Sequence, residues 1–237
     1  MSGNYCFAET VFEIRFLSPE VSGFFRQFKV DEPAETVIEI SETDVEKGFE
    51  AFLCKDKRWV EVLLIHKAVS TYLLDKDGFI FHSSTITVGG KAIVFTAQSG
   101  TGKSTHSRHW KECFPDEVEY VNDDKPFIRI KDDGVFVYGS PWNGKHRLGQ
   151  NISAPVEYVC FLHRGDCERV EKISAYEAIP LFLTQTLGFS DTEKQLKLLN
   201  LLDRFLKSVK VCKIYCTDTT DSARNIRRLL EETFNEG

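Results

Sequence analysis

Long hydrophobic runs are missing from the chain. No apolar stretch approaches the ~18 residues that a transmembrane helix requires. The N-terminal residues MSGNYCFAET also lack the basic region and apolar run of a signal peptide. We therefore expect a cytoplasmic protein with no membrane partner.

An excess of positive charge is absent as well. The 237 residues include 30 Lys and Arg against 36 Asp and Glu, which gives a formal net charge of −6. A general nucleic-acid binder usually carries a basic stripe, so we expect no nucleic-acid partner. An anionic substrate would still need a local basic site.

Cysteine pairs with redox or zinc spacing are also lacking. The chain has seven cysteines, an odd number, and none of them forms a Cys-x-x-Cys motif. This usage favours a reduced cytosol over secretion. Cys160 and Cys212 lie in apolar, strand-like runs, and Cys216 alternates with Cys212 as strand residues do. We expect these three cysteines to be structural.

The residues that are present predict a mixed α/β fold with hairpin-rich sheets. Hydrophobic residues make up 42% of the chain and charged residues 28%, which is typical of a soluble globular protein. Gly-Gly at 89–90 and Asp-Asp-Gly at 132–134 indicate hairpin turns. The predicted strands are 11–16, 36–41, 79–88, 91–96, three short strands within 118–142, 156–164 and 211–216, and the predicted helices are 58–74, 102–113, 193–210 and 220–234.

The stretch IVFTAQSGTGKSTHSRHW, residues 93–110, combines an apolar strand, a glycine-rich turn and the start of a helix. This is the context of a phosphate-binding loop, in which a glycine and four further residues precede Gly-Lys-Ser/Thr. Ala97 stands where the first glycine is usual, and we expect it to have a negative φ. The residues predicted to bind nucleotide phosphates are Ser99, Gly100, Thr101, Gly102, Lys103, Ser104 and Thr105.

Each part of this loop has a chemical task. Gly100 and Gly102 let backbone N–H groups approach phosphate oxygens, and the helix N-terminus adds to the anion nest. Lys103 is expected to reach the β- and γ-phosphates of ATP. Ser104 is expected to bind Mg²⁺ through its hydroxyl, and Thr105 to contact the α-phosphate.

A pair of carboxylates follows the next predicted strand. Asp123 and Asp124 occur in the run EYVNDDKPFI, about twenty residues after the loop. Carboxylates at a strand end beside a phosphate loop suit Mg²⁺-assisted phosphoryl transfer. One carboxylate would hold the metal, and the other would accept the proton of an attacking hydroxyl.

Taken together, these motifs resemble the catalytic domain of bacterial HPr kinase/phosphorylase, which shares a P-loop fold superfamily with phosphoenolpyruvate carboxykinase. Three elements match in order: His82 before the loop, the Ser-Gly-x-Gly-Lys-Ser loop at 99–104, and the Asp123–Asp124 pair. The resemblance covers roughly residues 75–165. It implies His82 near the γ-phosphate, Asp124 as the base and Asp123 on the Mg²⁺ side, with the two aspartates interchangeable at this stage.

The departures from that family limit what the resemblance implies. Thr105 follows Ser104, where HPr kinases have Glu, and neither their downstream glycine-rich signature nor their N-terminal domain is recognisable. The resemblance therefore implies the fold and phosphoryl chemistry, but not HPr as the substrate. We expect a single kinase-like domain over residues 1–237, with a possible subregion at 1–75 and a nucleotide-binding core at 76–237.

Further candidates lie outside these motifs. Lys145, His146 and Arg147 form a basic cluster in a loop, and Arg147 is the favoured clamp for a phosphoryl group. In the same loop, Trp142 would either stack on a base or simply pack as a structural residue. His106 and His109 have metal-ligand spacing but lack a third ligand, so we do not expect zinc.

These observations favour an ATP-dependent, Mg²⁺-assisted kinase. Its acceptor would be a hydroxyl of a small molecule or of a peptide or protein serine, and its oligomeric state is not predicted. Two alternatives stay open: a nucleotide-binding accessory module of a peptide-modification system, and a phosphorylase or nucleotide hydrolase on the same fold. Intact Lys103, Ser104, Asp123 and Asp124 argue against an inactive relative.

Overall fold

The computed structural model describes residues 1–51 and 54–235 and confirms the mixed α/β fold with hairpin-rich sheets. The strands are β1 Ser2–Phe7, β2 Thr10–Arg15, β3 Lys29–Val30, β4 Thr36–Glu39, β5 Gly78–Ile80, β6 Ser84–Val88, β7 Lys91–Thr96, β8 Val118–Asn122, β9 Phe127–Lys131, β10 Gly134–Tyr138, β11 Ser153–Arg164, β12 Arg169–Lys172 and β13 Lys210–Cys216. The helices are a 3-10 helix Pro19–Phe28, α1 Glu42–Ala51, α2 Lys57–Leu74, α3 Lys103–Cys113, α4 Ala175–Leu183, α5 Thr192–Ser208 and α6 Thr220–Asn235. No helix in the described ranges is long and apolar enough to cross a membrane.

The N-terminal part of the chain forms a small sheet with the order β3-β1-β2-β4. Its inner face is rich in phenylalanine, and Phe7, Phe12 and Phe25 are fully buried. The same cluster includes Phe127 and Tyr138 from strands β9 and β10 of the larger sheet. Since both sheets contribute to one apolar cluster, residues 1–75 pack onto the rest of the chain through a shared core.

The larger sheet has the order β5-β9-β10-β11-β7-β6-β8, and β13 and β12 extend from β11. The predicted central strand at 156–164 is confirmed within β11, which pairs in parallel with β7 and β13 and antiparallel with β10. Strands β7, β11 and β13 therefore end at the same edge of the sheet. In strand β13, Cys212 pairs with Cys160 of β11, and both thiols are buried in the core.

The prediction of one strand over 79–88 is wrong, because β5 and β6 are separate strands that join different neighbours. Strand β5 pairs with β9, whereas β6 pairs with β7 and β8. Between them, Phe81, His82 and Ser83 donate their backbone N–H groups to Pro126, Gln185 and Asp124. These hydrogen bonds to distant residues replace the regular hydrogen bonds between paired strands, so the chain leaves the sheet at His82.

Turn signals and hydrophobic periodicity located most other elements correctly. Gly89 and Gly90 have φ of 58° and 79°, as the predicted hairpin between β6 and β7 requires. The predicted helix at 58–74 is α2, which Asp56 caps through a hydrogen bond from Arg58 N. Six elements were not predicted from the sequence: β1, β3, β12, the 3-10 helix, α1 and α4.

Candidate functional site

The three predicted motifs meet at one edge of the larger sheet. Strand β6 runs antiparallel to β7 and β8, so Ser84 lies opposite Phe95, and Thr85 lies opposite Asn122. The start of β6 and the ends of β7 and β8 therefore coincide. This arrangement brings His82, the glycine loop at 97–102 and Asp123–Asp124 to the same edge.

The glycine loop has the backbone geometry that its sequence demands. Gly100 and Gly102 have φ of 82° and 117°, a region that residues with a Cβ rarely adopt. Ala97 is not among the residues with positive φ, so the prediction for it is confirmed. The missing glycine is therefore no obstacle, because the left-handed positions of this loop come later and both carry glycine.

Lys103 is the first residue of α3 and is buried, with 8% of its surface exposed. Its ammonium donates to the carbonyl oxygens of Ala97 at 2.8 Å and of Gln98 at 3.4 Å. Burial lowers the pKa of Lys103, and the negative charge of Asp124 opposes this shift. The ammonium is thus held against the start of the loop, where it feels the negative charge of Asp124.

Arg164 supports the loop from the end of β11, and sequence reasoning missed it. Its Nε donates to Thr101 O at 3.0 Å, and its Nη2 donates to Gly100 O at 3.1 Å. Its position at the carboxyl end of a central parallel strand was the available signal. By occupying two loop carbonyls, Arg164 favours a loop whose N–H groups point the other way.

Asp124 lies at the centre of a charged network. His82 Nε2 donates to Asp124 Oδ1 at 3.2 Å, and Lys125 Nζ donates to Asp124 Oδ2 at 2.8 Å. Burial alone would raise the pKa of Asp124, but the hydrogen bonds from His82 and Lys125 outweigh burial and lower it to about 2. Asp124 is therefore a carboxylate at neutral pH, with both oxygens oriented.

Asp123 has a different environment from its neighbour. It is 4% exposed, and its Oδ1 accepts from Gly144 N at 2.8 Å. Its Oδ2 is buried and has no hydrogen-bond partner in the described part of the chain. Burial raises the pKa of Asp123, and backbone hydrogen bonds from Gly144 and Leu148 oppose this. Burying a carboxylate oxygen without a hydrogen-bond partner costs free energy. Such an oxygen is suited to coordinate a cation.

A magnesium ion does not need a larger carboxylate cluster than this one. No group of three or more His, Cys, Asp or Glu residues within residues 1–51 and 54–235 is arranged to hold a metal. However, Mg²⁺ is usually held by one or two carboxylates together with substrate phosphates and water. Asp123, with its unpartnered oxygen, and Ser104, at the start of α3, therefore fit this ion.

Asn122 organises the turn that carries both aspartates, and sequence reasoning also missed it. Its Oδ1 accepts from Asp124 N at 2.8 Å and from Lys125 N at 2.7 Å. Its Nδ2 donates to Ser140 O at 3.0 Å and to Asn143 Oδ1 at 3.2 Å. This fully buried amide fixes the direction in which the strand ends, in the manner of an Asx turn.

The predicted basic cluster lies on the protein surface. Lys145, His146 and Arg147 are exposed. Arg147 has a φ of 50° and lines a cavity of about 250 Å³ with Arg26 and its neighbours, and no residue of the glycine loop lines that cavity. The structure thus does not bring Arg147 into contact with the loop, and its role as a clamp stays a prediction.

Trp142 is a core residue, so of its two open alternatives the structure favours structural packing over stacking on a base. It is 3% exposed, and its indole N–H donates to Val62 O at 3.3 Å. Its ring packs against Phe7, Phe25 and Phe127. Those partners come from both sheets, so the shared core takes the indole away from the surface.

His106 and His109 do not act as a pair. His106 is buried, and its Nε2 accepts from the Trp110 indole at 3.0 Å. Burial lowers the pKa of His106 to about 3. His109 lies with its Nε2 3.8 Å from Asp218 Oδ1 and lines a cavity. The first histidine is therefore structural, whereas the second faces a potential ligand space.

Two cavities flank the glycine loop. One, of about 240 Å³, lies beside α3 and is lined among others by Thr105, His109 and Asp218. The other, of about 690 Å³, is lined by loop residues 96–101, the end of β11, and Gln185 after α4. Thr101 and Arg164 border both cavities. Residues of the glycine loop therefore border two cavities large enough for a ligand.

Comparison with known proteins gives a distant similarity of fold. No family model matches the chain, and no curated protein matches it. Among solved structures, the chain is similar to the HPr(Ser) kinase/phosphatase from Coxiella burnetii, with a TM-score of 0.38 and 11% sequence identity. The alignment covers 66% of this chain and 97% of that one. The functional assignment therefore rests on the chain's own residues.

Proposed function

We propose that this protein is an ATP-dependent, Mg²⁺-assisted phosphotransferase whose acceptor is a hydroxyl of a small molecule or of a peptide or protein serine. One observation carries the proposal. The His82–Asp124–Lys125 network and the unpartnered oxygen of Asp123 lie at the same sheet edge as a glycine loop followed by Lys103. Such a set combines phosphate binding, metal binding and proton acceptance.

Phosphate binding falls to the glycine loop and the start of α3. The N–H groups at 100–105 and the helix N-terminus favour a phosphate, since they offer donors and a partial positive charge. Lys103 would exchange the carbonyls of Ala97 and Gln98 for phosphate oxygens. This exchange is favourable because a bond between two charged groups is stronger than one to a neutral carbonyl.

Metal binding falls to Asp123 and Ser104. When bound, Mg²⁺ would neutralise the negative charge that the transferring phosphoryl group spreads over its oxygens. The unpartnered Oδ2 of Asp123 supports placing this aspartate, rather than Asp124, on the metal side. Asp124 has one oxygen 3.2 Å from His82 Nε2 and the other bonded to the Lys125 ammonium, which leaves it less suited to a metal.

Proton acceptance falls to Asp124, with His82 as its partner. The acceptor hydroxyl oxygen forms a bond to the γ-phosphorus, the bond between that phosphorus and the bridging oxygen breaks, and ADP leaves. Asp124 takes the hydroxyl proton, and His82 orients the carboxylate through the 3.2 Å contact. A carboxylate with a pKa of about 2 is a weak base. It suffices because phosphoryl transfer depends mainly on positioning and charge stabilisation.

The nucleoside of ATP would lie on the α3 side of the glycine loop. The cavity beside Thr105 also contains His109 and Asp218, and lies at the ends of β11 and β13. A nucleotide whose phosphates lie in the loop would extend from the Asp123–Asp124 edge toward these strands. Asp218 is exposed and could accept hydrogen bonds from ribose hydroxyls.

Two variants and a labelling experiment test the proposal. Lys103→Ala should abolish the thermal stabilisation that ATP and Mg²⁺ give, because the loop loses its only long cationic side chain. Asp124→Asn should retain that stabilisation and lose transfer of ³²P from ATP to acceptors in a cell extract. An unchanged ATP shift in Lys103→Ala would refute the loop assignment. Release of phosphate without a labelled product would identify a nucleotide hydrolase instead.

A further inference from the structure

The larger cavity beside the glycine loop is lined by Gln185, whose side-chain oxygen has no hydrogen-bond partner among the described residues. Gln185 is 8% exposed, and its Nε2 donates to Thr184 Oγ1 at 3.0 Å. Its Oε1 is buried and has no hydrogen-bond partner in the described part of the chain. Because an unmade buried hydrogen bond costs about 1–3 kcal/mol, such atoms mark a place where a ligand donor fits.

This cavity adjoins the groups proposed for proton transfer. His82 N donates to Gln185 O at 2.7 Å, and Phe81 forms a bridge with Thr186. The segment at 184–186 therefore runs alongside the segment at 81–83. This backbone hydrogen bond thus joins the backbone of His82 to the cavity wall that includes Gln185.

The charge around the cavity favours an anion. Arg164 borders it and uses Nε and Nη2 on loop carbonyls, without an ion pair to any carboxylate of the described residues. No Asp or Glu is among the described residues that line the cavity. A cationic molecule would meet Arg164 without a counter-charge, whereas an anionic one would be attracted to it.

The volume of the cavity, about 690 Å³, is in the range of small-molecule sites. Most of its lining residues differ from those of the cavity that contains Thr105 and His109. The nucleotide and a second small molecule can thus occupy separate spaces, which share Thr101 of the loop and Leu162 and Arg164 of β11 as border residues.

We propose that the cavity at Gln185 binds the phosphoryl acceptor, and that the acceptor is a small anionic alcohol. Gln185 Oε1 accepts a hydrogen bond from it, Arg164 attracts its anionic group, and its reacting hydroxyl lies toward His82 and Asp124. This inference rests on the proposed phosphotransferase function. The hydroxyl oxygen bonds to the γ-phosphorus of ATP, its proton passes to Asp124, and ADP leaves.

The test is a ³²P transfer assay with a defined acceptor panel. Glycerate, lactate and malate represent small anionic alcohols, glycerol a neutral alcohol, ethanolamine a cationic one, and a blocked Ala-Ser-Ala peptide a peptide serine. We expect label on one or more of the anionic alcohols. Gln185→Leu should raise the KM for that acceptor at least tenfold, with kcat within threefold and ATP stabilisation unchanged. Gln27→Leu, the same change at an exposed site, is the matched control.

A second variant covers the case in which Gln185→Leu fails to fold. Gln185→Glu keeps the shape and adds a negative charge, so it should raise the KM for an anionic acceptor and leave that of glycerol nearly unchanged. Label confined to glycerol, ethanolamine, the peptide or water would overturn the acceptor assignment while ATP binding stands. If ATP stabilises the wild-type protein no more than it stabilises Lys103→Ala, the proposed phosphotransferase function is refuted, and this inference with it.

Discussion

Acid should destabilise the protein through His106, a residue of α3 whose ring is buried against Phe95 of strand β7. The ordinary pKa of histidine is about 6.5, and burial lowers that of His106 to about 3. His106 is therefore neutral in the folded protein, and its Nε2 is free to accept from Trp110. Protonation would remove that acceptor and place a charge in the core.

The sign and the size of the effect follow from these two pKa values. The unfolded chain binds a proton below about pH 6.5, and the folded protein does so only near pH 3, so stability falls between these limits. Each pH unit in this window costs about 1.4 kcal/mol. Between pH 7 and pH 5, His106 should therefore remove about 2 kcal/mol from the free energy of unfolding.

His106→Gln isolates this contribution, because glutamine keeps an oxygen that can accept from the Trp110 indole but does not titrate. Urea unfolding followed by tryptophan fluorescence at pH 7 and pH 5 gives the free energies. The variant should lose about 2 kcal/mol less than the wild type over this interval. His146→Gln, at an exposed histidine, should behave as the wild type. Equal losses in His106→Gln and the wild type would refute the neutral, buried imidazole.

Three further predictions concern the neighbourhood of the aspartates. Asn122→Ala should lower the free energy of unfolding by about 1–3 kcal/mol and reduce phosphoryl transfer, because two backbone N–H groups lose their acceptor. Gly144→Ala should weaken the Mg²⁺ dependence of transfer, measured by titration, since its Cβ would lie 3.0 Å from Asp123 Oδ2. Trp142→Phe should lower the free energy of unfolding in urea by about 1–3 kcal/mol and leave the KM for ATP unchanged. A large increase in that KM would instead indicate that Trp142 contacts the nucleotide.

The features that the sequence predicted well are those that neighbouring residues determine. Gly89 and Gly90 demand their hairpin by themselves, and Gly100 and Gly102 demand the turn of the glycine loop. In each case the residue type and the backbone conformation are linked within a few positions of the chain. The negative φ of Ala97 belongs to the same class, since it follows from the side chain alone.

The features that the sequence did not predict depend on residues far along the chain. The break between β5 and β6 needs Pro126, Gln185 and Asp124 as partners for its N–H groups. The burial of Trp142 needs Phe7, more than a hundred positions earlier. Periodicity and turn propensity contain no information on such pairs, because the choice among many apolar partners is made only when the sheets pack.

The break at 81–83 also explains how a short site can hold several charges in fixed positions. If β5 continued into β6 as one strand, the backbone of His82 would be engaged in a ladder. Instead, His82 N bonds Gln185, Ser83 N bonds Asp124 O, and Thr96 Oγ1 donates to His82 O at 3.0 Å. Hydrogen bonds to backbone atoms thus connect the backbone at 82–83 with the aspartate turn and with the start of the glycine loop. Lys103 contacts only loop carbonyls among its hydrogen bonds in the described chain, so ligand binding requires chiefly a side-chain rearrangement of this residue.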